Sequence, residues 1–81
     1  MDDADPPHQS ARLSVDEIRQ AIETMTNAQY GRIRKAAHLY AHHPLEPDDL
    51  IQEAYTRALS GSRKCPRDIS IDRFLAEAIR S

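Results

Sequence analysis

With 81 residues, 40% hydrophobic and 30% charged, the chain has room for one small domain with a thin core, which excludes a multidomain enzyme and a deep enclosed active site. A single cysteine, Cys65, excludes an internal disulfide or a four-cysteine zinc module within one chain, and no stretch approaches the roughly 18 apolar residues a membrane span needs. The net charge of −2 conceals blocks of alternating sign: −4 over residues 1–23, +3 over 24–45, −4 over 46–55 (Glu46, Asp48, Asp49, Glu53) and +3 over 56–81.

No period-2 alternation of apolar residues runs long enough for a strand, whereas helical spacing recurs four times, so the expected class is all-α, a small bundle of three to four helices. Residues 1–13 read as a disordered acidic leader, and residues 14–81 as the helical domain. The lone cysteine makes a reducing cytoplasm the expected compartment, and the leader has neither a basic nor an apolar region of the kind a secretory signal carries.

Ser14-Val15-Asp16-Glu17 is a capping box that starts a first helix with Ile18, Ala21, Ile22 and Met25 inward. Thr26-Asn27-Ala28-Gln29 offers a second capping box, where the helix either breaks and restarts or kinks. The following face is Tyr30, Ile33, Ala37 and Tyr40, and His42-His43-Pro44 ends it because a residue before proline is pushed out of the α region. A third helix begins at Pro47, with Asp48 and Asp49 on the positive end of its dipole, and stops at Gly61. Its inward stripe is Leu50, Ile51, Ala54, Tyr55, Ala58 and Leu59, which leaves Asp49, Gln52, Glu53 and Arg57 on the flanks and outer face. Residues 61–69 form a charged loop, after which Ser70 caps a last helix with Phe74, Leu75, Ala78 and Ile79 inward.

Chemistry-bearing groups are few. His38 and His42 are spaced to share a metal, but no further ligand has recognisable spacing, so they read as surface histidines and no metal is expected. Cys65 lies between Arg63, Lys64 and Arg67, which would favour a thiolate, yet no base is placed beside it and it reads as an incidental loop cysteine. With Gly31 and Gly61 as the only glycines there is no phosphate-cradling loop, and neither enzyme activity nor a cofactor is expected. Arg63, Lys64, Arg67, Arg73 and Arg80 could neutralise phosphates. Phe74 could stack on a base, although anchoring the last helix is the commoner job for such a ring.

The third helix carries the most specific signal. Asp48-Asp49-Leu50-Ile51-Gln52-Glu53-Ala54-Tyr55-Thr56-Arg57-Ala58-Leu59 resembles region 2.2 of the sigma-70 family of bacterial transcription initiation factors, in which an Asp-Leu-Ile/Val-Gln-Glu core leads to Arg-Ala-Leu. Phe74 to Ser81 is similar to the start of region 2.3, and Tyr30 to Tyr40 to region 2.1, with spacing closest to the extracytoplasmic-function type. The resemblance implies a domain that docks on the β′ clamp helices of core RNA polymerase through Asp49, Gln52 and Glu53. It also implies a part in recognising and opening the −10 promoter element, with Arg63, Lys64, Arg67, Arg73, Phe74 and Arg80 toward DNA. The chain departs from principal sigma factors in having Arg73-Phe74 where those place adjacent aromatics. It has no counterpart of the region 2.4 continuation or of region 4, so it is not expected to recognise a promoter by itself. The alternative is a sigma-like mimic that binds an anti-sigma factor without binding DNA. A helix-turn-helix reader ranks last, because residues 61–69 are too long for its usual turn.

Overall fold

Ser14 opens the first helix as its capping box requires: its hydroxyl accepts from the Glu17 amide at 3.1 Å, and the Glu17 carboxylate accepts from the Ser14 amide at 2.8 Å. The computed structural model describes residues 11–80, which form α1 (Val15–Glu23), α2 (Asn27–Tyr40), α3 (Pro47–Leu59) and α4 (Ile71–Arg80), with no strand among the described residues. At Thr26, where the sequence allows either a break or a kink, the structure has a break. The Gln29 amide donates to the Thr26 hydroxyl at 3.1 Å and the Thr26 amide to the Gln29 side chain at 3.0 Å, so α2 starts afresh.

Proline and glycine punctuate the rest. Before Pro44 the chain has already left the helix, with Ala41 extended after Tyr40. Pro47 occupies the first turn of α3, where the Asp49 carboxylate accepts from the Glu46 amide at 3.0 Å. Beyond α3, Gly61 adopts a φ of 81°, a left-handed conformation that a residue with a Cβ rarely takes.

The long loop is held down by the segment expected to be disordered. The Leu13 amide donates to the Cys65 carbonyl at 2.9 Å, and the Arg67 amide to the Ala11 carbonyl at 2.8 Å, with Arg12 opposite Pro66 in an isolated antiparallel bridge. The leader therefore ends earlier than its composition implied, because two backbone hydrogen bonds and the packing of Leu13 tie residues 11–13 to the domain. Residues 1–10, the rest of the expected leader, lie outside the described residues.

The core forms around α4. Ile71, Phe74, Leu75, Ala78 and Ile79 are buried against Ile33 and Ala37 of α2, Leu50, Ile51, Ala54 and Ala58 of α3, and Ile18 of α1. Three residues expected to face inward do not. Tyr30 is 37% exposed, Tyr40 41% and Leu59 36%. The buried stripe of α2 is narrow, limited to Ile33 and Ala37, so both tyrosines fall at its margins, and Leu59 is the last residue of α3. Helices α2 and α4 run in the same sense: Gln29 and Arg32 meet Asp72 near their first turns, and Tyr40 and Ile79 line one groove at their ends.

Candidate protein and nucleic-acid interfaces

On α3, helical periodicity sorts the residues into two faces. Leu50, Ile51, Ala54 and Ala58 are buried, whereas Asp49, Gln52 and Glu53 are exposed and lie within about one turn of each other. The three are not chemically equivalent. One Asp49 oxygen is engaged by the Glu46 amide at the start of the helix, and Glu53 accepts from Arg57 Nη2 at 2.9 Å one turn on. Both Glu53 and Arg57 are substantially exposed, so this pair is screened by water and exchangeable. Arg34 of α2 reaches Asp48 at 3.3 Å, adding a charge to the flank of the same helix.

The six residues expected to face DNA separate into different roles. Arg67 grips Glu17 with both terminal nitrogens, at 3.1 and 3.2 Å, and donates to the Arg12 carbonyl at 3.4 Å. It fastens the loop to α1. Glu17 is correspondingly held below the usual glutamate range, first by the Ser14 amide and then by Arg67. Phe74 is buried in the core, with the Arg63 guanidinium 5.9 Å from its ring centre. Its ring packs in the core in this structure, in keeping with the anchoring role that the sequence also allows for it. The physical reason is that Phe74 is the only phenylalanine in the chain and it fills the centre of α4's inward face.

Lys64, Arg73 and Arg80 are exposed, Arg73 reaching Glu77 at 3.4 Å. These cations are spread out: Lys64 precedes α4, Arg73 is in its first turn, and Arg80 is at its end, roughly 10 Å further along the axis.

Asp72 belongs to no motif that marks it in the sequence, yet it is a buried carboxylate. It accepts from Gln29 Nε2 at 3.1 Å and from Arg32 Nη1 at 2.9 Å, joining α4 to α2. Burial opposes its charge, but hydrogen bonds from Arg32, Ser70 and Gln29 outweigh it and hold the carboxyl below its ordinary value. A signal is present in the spacing, since Asp72 falls with Leu75 and Ile79 on the inward side of α4 and Gln29 and Arg32 are three residues apart on α2.

A groove of about 270 Å³ opens between the ends of α2 and α4 and the length of α3. Leu45, Leu50, Ala54 and Ile79 give it an apolar lining, and Tyr40, Glu53, Arg57 and Arg80 also border it. The expected polymerase-binding edge and the groove thus share Glu53.

Cys65 is fully buried, and burial pushes its thiol up rather than down, so the neighbouring cations do not activate it. His38 Nε2 lies 3.4 Å from Arg34 Nη2, and no group of three or more His, Cys, Asp or Glu among the described residues is placed to hold a metal ion. No described helix is long and apolar enough to cross a membrane. No protein-family model matches the chain, and no match was found among the curated proteins or the solved structures.

Proposed function

We propose that this chain is a sigma-70 region 2-type domain of bacterial transcription initiation, docking on core RNA polymerase through the outer edge of α3 and contributing to opening of the −10 promoter element. One observation carries the reading. The Asp-Leu-Ile-Gln-Glu motif lies on a single helix that buries Leu50 and Ile51 and turns Asp49, Gln52 and Glu53 outward together. A motif whose apolar residues build a core while its polar residues share an exposed edge suits a protein interface better than a catalytic site. The acidic character of residues 46–55 fits a basic partner surface, where complementary charge sets encounter rate and register. Of the residues expected to face DNA, Lys64, Arg73 and Arg80 are the exposed cations that could meet its backbone. The test is co-elution of the purified chain with bacterial core RNA polymerase: a stoichiometric complex supports the reading, and separate elution of a folded chain rejects it.

A second reading is favoured by the burial of Phe74 and the engagement of Arg67 by Glu17, which remove an aromatic ring and a cation from the expected DNA set. A sigma-like mimic would bind an anti-sigma factor through its apolar and acidic faces and would not bind DNA. Salt-dependent affinity of the chain for a promoter single strand contradicts that alternative.

A further inference from the structure

A charged loop is ordinarily the most mobile part of a small domain, yet residues 61–69 are tied down at every second residue from Arg63 to Arg67. The Arg63 amide donates to the Arg57 carbonyl at 3.4 Å, and its guanidinium lies 5.9 Å from the Phe74 ring centre. Cys65 is fully buried, and its carbonyl accepts from the Leu13 amide. Arg67 donates through its amide to the Ala11 carbonyl and through both terminal nitrogens to Glu17. Lys64 stands exposed between two pinned neighbours. The Glu17 and Arg67 side chains are 35% and 32% exposed, whereas the pairs Asp16 with Arg19, Asp48 with Arg34, Glu53 with Arg57 and Glu77 with Arg73 are all more open. A partly sheltered pair made through two nitrogens holds its geometry better than exposed pairs do. Glu17 also closes the capping box of α1, so one carboxylate fixes both the start of that helix and the far end of the loop.

We infer that Glu17 and Arg67 are positioning residues: their pairing holds residues 61–69 in the conformation that presents Lys64 to a nucleic-acid backbone, and Arg67 itself makes no contact with phosphate. The inference rests on the nucleic-acid half of the proposed function and adds to it a residue of α1 whose charge is the wrong sign for such a partner. A loop fixed in advance has already lost its conformational entropy, so a phosphate that meets Lys64 does not have to order it. Neutralising Glu17 therefore has two opposed consequences. It makes the surface more positive, which favours a polyanion, and it loosens the loop, which disfavours one. The second is the larger here, because Arg67 keeps a further partner in the Arg12 carbonyl, 3.4 Å from Nη2, and stays engaged rather than swinging out to a phosphate.

The test measures the affinity of a single-stranded DNA oligonucleotide for the full chain, for Glu17→Gln, for Arg67→Gln and for the double variant across a salt series. The rate at which a thiol reagent labels Cys65 is read on the same proteins. Glutamine at position 17 keeps the capping box, since its side-chain oxygen accepts from the Ser14 amide as the carboxylate does, and circular dichroism checks the helix content. The proposal predicts Cys65 labelling at least about fivefold faster in each variant, through readier local opening. It predicts affinity at least about threefold weaker, with the slope of the salt dependence unchanged because no phosphate contact is lost. The two single variants should behave alike and the double variant no worse than either, since all three break one contact. Equal or tighter binding by Glu17→Gln, the result that charge alone dictates, overturns the positioning role even where Cys65 labels faster. A salt slope lowered by about 0.7 in Arg67→Gln makes Arg67 a phosphate contact and also overturns it. Absence of nucleic-acid binding by the unmodified folded chain overturns the positioning role and the nucleic-acid reading together.

Discussion

Arg32 and Asp72 form the one ion pair among the described residues in which one side chain is buried and the other well solvated: Asp72 is 4% exposed and Arg32 69%, at 2.9 Å. The pair ties the first turn of α4 to α2, beside Arg73 and Phe74, and so fixes where the expected DNA-facing helix begins. Since Arg32 stays solvated, removing the carboxylate does not strand a buried cation, and the cost falls below the 3–5 kcal/mol typical of breaking a fully buried pair. Asp72→Ala is expected to lower stability by about 1–3 kcal/mol, the value of hydrogen bonds to a charged group. Urea denaturation measures it, and an unchanged midpoint would show that the pair does not hold α4.

Acid should expose the same pairing. The Asp72 and Glu17 carboxyls are both held below their unfolded values, near 4, so the unfolded chain binds more protons and stability rises with pH. Their contribution is fully present above about pH 5 and is lost as pH falls through the folded-state values. Stability measured from pH 7 down to pH 3 should therefore decline, and Asp72→Asn should decline less steeply. Parallel profiles for the two proteins would count against the assignment.

Phe74→Ala should cost about 3–5 kcal/mol, a large part of the roughly 4–12 kcal/mol expected for a chain of this length, and thermal melting reads it directly. Leu39→Ala, at a side chain 73% exposed, should change stability by less than about 0.5 kcal/mol. Equal shifts in the two variants would mean that the inward face of α4 is misplaced.

Cys65 should behave as a core residue. Its side chain is fully buried and its carbonyl accepts from the Leu13 amide, so a thiol-specific reagent should modify it slowly in the native protein and rapidly in denaturant. Fast native labelling would show that the loop opens readily.

For nucleic acid, Lys64→Ala/Arg73→Ala should weaken binding to a single-stranded oligonucleotide and flatten its salt dependence by about 0.7 in slope for each phosphate that is no longer neutralised. Phe74→Leu, measured on folded protein, should leave that affinity unchanged, because the ring faces the core. A drop in affinity confined to Phe74→Leu would restore a stacking role for the ring.

Local chemistry made much of the fold legible. Ser14 with Glu17, Thr26 with Gln29, and Glu46 with Asp49 each mark a helix start by hydrogen bonds within three residues, which a sequence displays directly. Pairings between distant residues were not legible. Leu13 with Cys65, Glu17 with Arg67, and Arg32 with Asp72 bring together positions 40 or more apart; the spacing places Asp72 on the inward side of α4 but does not say which residue of another helix it meets. The same limit explains the candidate sites. The exposed edge of Asp49, Gln52 and Glu53 follows from the period of one helix, whereas the groove beside it requires Tyr40, Leu45 and Ile79 from three segments, and the burial of Phe74 depends on all four helices.

The central claim is that α3 presents a polymerase-docking edge, and the most direct measurement is the affinity of core RNA polymerase for this chain and for its Gln52→Ala/Glu53→Ala variant. Both side chains are exposed, so the variant should remain helical by circular dichroism. The account predicts measurable binding by the unmodified chain and an affinity at least about tenfold weaker in the variant. Equal affinity in the two proteins, with both folded, would contradict it.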